Sequence, residues 1–346
     1  MLSCSNGWVG RGPGAGRIIP LVPELPEVET IRRDLLPILR GRTVRSAWIS
    51  PNAPRLAQWL PPDEFCRQLT GRRITDLGRR GKYLLIHFDQ PPQDSPGRQA
   101  EHSPPRPPPR ERGPRGEGTP SAGDPRFSVL GSRFPGGGPG GGGLTWIVHL
   151  RMTGRLQYAP TSCPDDPYLR AKFELDGGAW LCFIDVRKFG TMWLVDDVDL
   201  VTGKLGPEPL DEAFDVAAFH SLLKRRSAAI KAVLLDQAVL AGVGNIYADE
   251  SLFRAAIDPR KPANRISRPA AARLHQAIVE VLEEAVGDRG SSFRDYVDAQ
   301  GEAGYHHLKV RVFRRTDEPC FVCGTPIRRV KVAGRSTHFC PRCQKR

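Results

Sequence analysis

Pro23-Glu24-Leu25-Pro26-Glu27-Val28-Glu29-Thr30 reads like the beginning of a protein, although it starts at the twenty-third residue of the chain. Outward from it, Pro26 to Leu39 is predicted as a helix. Pro26 suits a first helical turn, and Val28, Ile31, Leu35 and Leu39 form one apolar stripe at helical spacing. Glu24 and Glu27 then lie at the positive end of the helix. A proline at a chain terminus is a secondary amine, and its attack on a sugar carbon yields a cationic iminium. Inside a chain the same nitrogen is an amide whose lone pair is delocalised into the carbonyl. The chemistry open to this protein therefore turns on whether Val22–Pro23 is a peptide bond.

The segment before Pro23 has no functional signature. Met1 to Leu21 holds five glycines, two prolines and two arginines, with neither an apolar core for secretion nor a helical period. Residues 1–22 are expected to be a structureless leader read from the wrong start. Val22 is a plausible alternative initiator, whose codon would be read as methionine and whose removal would expose Pro23. A second anomaly runs from Pro91 to Gly143, where 26 of 53 residues are proline or glycine. Such composition cannot bury enough apolar surface to offset chain entropy, so a disordered loop is expected there. It separates two predicted strands, Lys82–Phe88 and Leu144–Leu150, which are expected to pair as a hairpin carrying the insertion at its tip.

The 346 residues have room for two or three domains, and no apolar run reaches membrane-spanning length. The net charge is +13, and Gly304 to Arg346 alone carries eleven Lys or Arg against two acids. A basic terminus of this kind favours phosphate-rich partners. Between Thr43 and Leu194 short β-prone runs dominate, among them Arg72–Leu77, Ala171–Leu175, Trp180–Ile184 and Thr191–Val195, as in a sandwich or barrel. From Phe214 the pattern becomes helical, with candidates at Val216–Leu223, Ala228–Leu235, Asn245–Ala256 and Ser267–Val286. Cys320, Cys323, Cys340 and Cys343 follow as C-x2-C-x16-C-x2-C, the spacing of a four-thiolate zinc site. Adjacent C-x2-C pairs in a chain without a secretory signal argue against disulfides. Four thiolates leave zinc no open position, so one structural Zn2+ is expected. Cys4, Cys66, Cys163 and Cys182 are scattered and read as single thiols.

Together these pieces resemble formamidopyrimidine-DNA glycosylase, a bifunctional enzyme family of base-excision repair. The resemblance is carried by PELPEVET at 23–30, GKYLL at 81–85, HLRMTG at 149–154, DVRKFG at 185–190 and LGPEPL at 205–210. It continues through AGVGNIYADESLF at 241–253, SSFRDYV at 291–297 and the cysteine module. It implies an α+β fold: an N-terminal β-sandwich with a flanking helix over 23–200, a helix–two-turn–helix domain over 201–300, and a zinc-finger hairpin within 301–346. It implies a bacterial, cytoplasmic, nucleoid-associated monomer that binds damaged double-stranded DNA.

The resemblance also implies residue roles. Pro23 would be the nucleophile at C1′ and Glu24 the proton donor and acceptor at the sugar. Lys82 would hold phosphate and aid β-elimination, and Arg335, at the tip of the zinc hairpin, would bind phosphates beside the lesion and assist δ-elimination. Met152, Arg187 and Phe189 match a set that fills the hole left by a flipped base. Asn245, in a glycine-rich turn that opens a helix, can hold a phosphate; Arg226 and Lys231 are further candidates for backbone contacts. The region from Ser291 to His306 resembles a loop closing over a flipped purine. The family usually has Gly where Arg151 stands, and a histidine that often contacts DNA near the position of Tyr168. Two alternatives stay open: an endonuclease VIII-type glycosylase for oxidised pyrimidines, and a non-catalytic damage binder whose proline is capped.

Overall fold

The computed structural model describes residues 22–89, 143–292 and 297–345. The expectations for the leader before Val22, for the insert, and for residues 293–296 of the purine loop lie outside them. The chain forms α1 (Leu25–Leu39), β1 (Val44–Ile49), α2 (Pro62–Leu69), β2 (Ile74–Arg80), β3 (Tyr83–Phe88), β4 (Thr145–His149), β5 (Gly154–Ala159), β6 (Leu169–Leu175), β7 (Trp180–Asp185) and β8 (Thr191–Val195). The short α3 (Asp199–Thr202) leads to α4 (Val216–Lys224), α5 (Ile230–Leu235), α6 (Asn245–Arg254) and α7 (Arg268–Gly287). A last hairpin pairs β9 (Arg328–Val332) with β10 (Arg335–Phe339).

Two four-stranded antiparallel sheets, ordered β1-β6-β7-β5 and β2-β3-β4-β8, face each other across one core. β4 is buried along its whole length, because Leu85, Ile147, Trp193 and Val195 form a second, smaller cluster on the outer face of its sheet. Trp146 on β4 sits at the centre, its ring 4.3 Å from Phe173 and 6.3 Å from Phe65. Truncating it to alanine is expected to cost about 3–5 kcal/mol. β3 and β4 pair from Leu84↔Val148 to His87↔Thr145, so the strands on either side of the insert are hairpin partners, as their sequence predicts.

Helix α1 belongs to two cores. Val28, Ile31, Leu35 and Leu39 pack into the sandwich, whereas Leu25 packs with Val239, Val243, Ile246 and Tyr247 in the helical domain. α2 is not among the sequence expectations. Pro61-Pro62 starts it, Asp63 and Glu64 fill its first turn, and Phe65 and Leu69 bury its inner face. α7 follows its predicted stripe, with Leu274, Ile278, Val281, Leu282 and Ala285 buried and Ser267 capping its start. Cys163 and Cys182 are not single thiols: the loop after β5 folds back over β7 and the two form a disulfide with Cα atoms 5.8 Å apart. No helix among the described residues is long and apolar enough to cross a membrane.

Candidate active site and nucleic-acid interface

The site is assembled where the start of α1 meets the start of α6. Glu24 is 2% exposed, and its carboxylate accepts the backbone N–H of Ile246 at 3.0 Å and of Tyr247 at 3.5 Å. The first-turn N–H groups of a helix lack intrahelical partners and carry partial positive charge, so they suit a carboxylate. Gly244, just before α6, permits this approach: a Cβ there would stand 2.2 Å from the Glu24 carboxyl carbon. Burial pushes the Glu24 carboxyl up to about 7; Lys82 and the two amides pull it down, while Glu27 adds to the rise. A group poised at that value can give or take a proton near neutrality.

Glu27 holds the backbone around it. Its carboxylate accepts the Glu24 N–H at 2.8 Å, the Ser291 N–H at 2.8 Å and the Tyr247 hydroxyl at 2.5 Å. Leu25 N–H donates to the Gly242 carbonyl at 3.1 Å, tying the first turn of α1 to the glycine-rich turn before α6. Burial, then the neighbouring Glu27 carboxylate, holds the Tyr247 phenol well above its ordinary value, so it stays a donor. Pro23, at the head of this arrangement, is itself buried.

Lys82 occupies the turn between β2 and β3, after Gly81 with φ +57°. Burial lowers its ammonium pKa, with Glu24 and Glu27 opposing the shift and Arg335 adding to it. Lys82, Glu24, Glu27 and Arg335 therefore share one electrostatic neighbourhood. The turn is braced from the helical domain: Glu208 accepts from Arg79 Nη1 at 2.8 Å, Arg80 Nη1 at 3.1 Å and the Gly81 N–H. Arg79 also reaches Glu29 at 3.2 Å. His149 stacks edge-on against Tyr83 at 4.6 Å, and burial keeps its imidazole neutral.

The zinc hairpin brings in Arg335. Ala333 and Gly334, with φ +47° and +75°, form its two-residue turn. Two successive positive φ values match the twist of a tight hairpin. Arg335 is the next residue and is exposed at the tip. At the base, the Sγ atoms of Cys320, Cys323, Cys340 and Cys343 all lie within 4.8 Å of one another, with Cys320–Cys343 at 3.9 Å and Cys323–Cys340 at 3.5 Å. Tetrahedral zinc with bonds of about 2.3 Å requires sulfur separations of roughly 3.8 Å. The donor set fits one structural zinc ion.

The predicted hole-filling residues sit on two adjoining loops. Met152 is half-buried; Arg187 is exposed, with its guanidinium 4.8 Å from the centre of the Phe189 ring, and Phe189 is 49% exposed. Asp185 organises both loops, its carboxylate accepting the Thr153 hydroxyl, the Arg187 N–H at 3.1 Å and the Gly190 N–H at 2.8 Å. Arg151 lies in the left-handed region at φ +56°, a conformation that favours glycine, the residue expected there from the resemblance. Tyr168 is 42% exposed, and the guanidinium of the buried Arg170 lies 5.6 Å from the centre of its ring. Asn245 opens α6 and Arg226 is exposed in the loop before α5.

Lys231 does not fit the expectation of a backbone contact. Its side chain is 0% exposed, with Nζ 2.7 Å from Asp249 Oδ1 and donating to the Ser336 carbonyl at 2.9 Å. The apolar spacing of α5 turns it inward, between Ile230 and Val233 of the helical core. Glu27, Asp185 and Glu208 build the site as acids that the sequence expectations do not include in that role. Glu27 and Asp185 stand inside PELPEVET and DVRKFG, and Glu208 inside LGPEPL, so the motifs themselves carry the signal.

Three family models match the chain in order: the formamidopyrimidine-DNA glycosylase N-terminal domain over 22–192, the formamidopyrimidine-DNA glycosylase H2TH domain over 205–296, and the zinc finger found in FPG and IleRS over 317–346. The chain is 39% identical to formamidopyrimidine-DNA glycosylase of Heliobacterium modesticaldum, covering 94% of this chain and 100% of that one. It is 41% identical to the Moorella thermoacetica protein of that name, covering 90% and 95%. Among solved structures, the Lactococcus lactis Fpg in complex with DNA containing an abasic site superposes with TM-score 0.73 at 32% identity, covering 93% of this chain and 100% of that one.

Proposed function

Because this chain belongs to the formamidopyrimidine-DNA glycosylase family, we propose that it is a bifunctional DNA glycosylase and AP lyase that excises oxidised purines from duplex DNA through a Schiff base at Pro23. The observation that carries this reading is the Glu24 carboxylate, buried beside Pro23, held by the start of α6 and raised to about 7.

The reaction requires a free amine, so the Val22–Pro23 bond must be absent from the active protein. The Pro23 nitrogen then attacks C1′ of the extruded nucleotide and the glycosidic bond breaks, its electrons leaving with the base, which takes up the proton that the amine sheds. Protonated Glu24 gives its proton to O4′ as the sugar ring opens, and nitrogen and C1′ become an iminium. The Glu24 carboxylate left by that transfer takes the C2′ proton, whose bonding electrons flow toward the sink as the 3′ phosphate leaves; a second elimination expels the 5′ phosphate. Lys82 and Arg335 stabilise the departing phosphates, which is charge stabilisation by fixed cations. Met152, Arg187 and Phe189 fill the vacated stack, and Asn245, Arg226 and Tyr168 face the backbone. The zinc ion supplies rigidity to the hairpin and takes no part in bond-making.

Borohydride trapping on duplex DNA carrying 8-oxoguanine tests this. A covalent adduct is expected on chains whose mature N terminus is Pro23, and none on chains that retain Val22. An adduct on intact-leader protein refutes Pro23 as nucleophile. Preferential trapping on thymine glycol instead assigns the pyrimidine-specific activity.

A further inference from the structure

Lys231 and Asp249 are both 0% exposed, and the reaction above uses neither. Each carries a second interaction, and both go to the same strand. Lys231 Nζ donates to the Ser336 carbonyl at 2.9 Å, and Asp249 Oδ2 accepts the His338 N–H at 2.9 Å. The hairpin register explains why these groups are available. Arg335 pairs with Val332 across a two-residue turn, so alternate residues of β10 point their backbone groups away from β9. Ser336 and His338 are two such residues. The ion pair thus supplies one donor and one acceptor to the outer edge of β10, as a neighbouring strand would.

Other contacts between this hairpin and the helical domain gather toward its base. Arg260 lies over Phe339 at 4.6 Å, and Gln344 Nε2 donates to the Ile257 carbonyl at 2.9 Å. The Lys231 contact, by comparison, falls on the residue next to Arg335. Lys231 itself lies within electrostatic reach of both Glu24 and Arg335. Asp249 offsets the charge of a lysine that would otherwise repel that arginine.

We propose that Lys231 and Asp249 are positioning residues that clamp the outer edge of the zinc hairpin to the helical domain, and so set Arg335 at the phosphate it helps to expel. The inference rests on the role of Arg335 proposed above. It places Lys231 inside the protein, acting on DNA through another residue.

The test replaces the pair with apolar groups of similar size, Lys231→Met with Asp249→Leu, because removing one partner alone leaves an uncompensated buried charge and risks unfolding. On abasic-site DNA, the zinc-loaded, folded double variant is expected to form the trapped adduct and the β-elimination product. Its δ-elimination product is expected to fall about tenfold or more, in line with misplacement of a catalytic group on the scale of an ångström. A folded double variant with the wild-type ratio of β to δ product overturns the proposal. Amide exchange in the wild type reads the clamp without any variant. The His338 N–H should be protected to the same degree as its hairpin-bonded neighbour Thr337, and exchange as fast as a free strand edge overturns the clamp. If wild-type protein beginning at Pro23 forms no adduct, the fault lies with the proposed function, while the exchange measurement still decides the clamp.

Discussion

Gly244→Ala tests the placement of Glu24 with one methyl group. The added Cβ would lie 2.2 Å from the Glu24 carboxyl carbon and 2.4 Å from Oε1, where ordinary contact begins at 3.4 Å. The carboxyl carbon must therefore retreat by about 1.2 Å, the difference between 3.4 and 2.2 Å, to reach ordinary contact. That movement breaks its 3.0 Å hydrogen bond from the Ile246 N–H and carries it away from the sugar. Misplacement on this scale costs about 10²-fold in rate, and the overpacking costs about 1–3 kcal/mol of stability. Single-turnover base release from a duplex with one lesion measures the first quantity, and urea unfolding the second. Glu24→Asp, one methylene shorter, should tolerate the alanine, so Gly244→Ala should slow that variant far less than the wild type. A folded Gly244→Ala protein that releases base within about twofold of the wild-type rate refutes the placement, because no retreat of the carboxylate would then matter.

Further outcomes follow from the ionisations and the metal site. The Glu24 carboxyl holds its proton to about 7 in the folded protein, against an ordinary glutamate value of 4.5. The unfolded state therefore binds fewer protons between those values, and stability falls as pH rises through them. Glu24→Gln should abolish trapping yet stabilise the protein by roughly 3 kcal/mol at pH 8, with no gain below about pH 4.5; equal denaturation midpoints at pH 8 would count against a buried acid. Glu29 behaves oppositely: burial raises its pKa, but Arg32, Arg79 and Arg33 hold it at about 2. Its stabilising ionisation is complete above 4.5 and is lost as pH falls toward 2, so Glu29→Gln should lower stability at pH 7 by roughly 3 kcal/mol and make no difference near pH 2. Chelation of zinc should release the hairpin and weaken duplex binding, read by titrating labelled DNA before and after metal removal; unchanged affinity would show that the module folds without its ion.

Local periodicity made much of the fold legible. The stripes of α1 and α7 and the spacing of the four cysteines are short-range signals, and each has its counterpart in the structure. α2 escaped because eight residues behind two prolines give barely two turns of pattern. The site was legible in its components but not in its assembly. Glu24 and Ile246 are 222 residues apart, and no periodicity links a carboxylate to a distant helix start. Lys231 misled for a related reason. Its basic neighbours Arg225 and Arg226 are exposed, and sequence alone does not show which member of such a group the helical core takes in. The pairing of Cys163 with Cys182 likewise depends on a loop path that no spacing rule encodes.

The division of α1 between two cores has a mechanical consequence. With Leu25 gripped by one half of the molecule and Leu35 by the other, the helix acts as an axle common to both. Any relative motion of the two halves must turn about it or bend it, and Pro23 rides on its end. Neither half, made separately, would retain a working catalytic end, since each holds only part of the mounting.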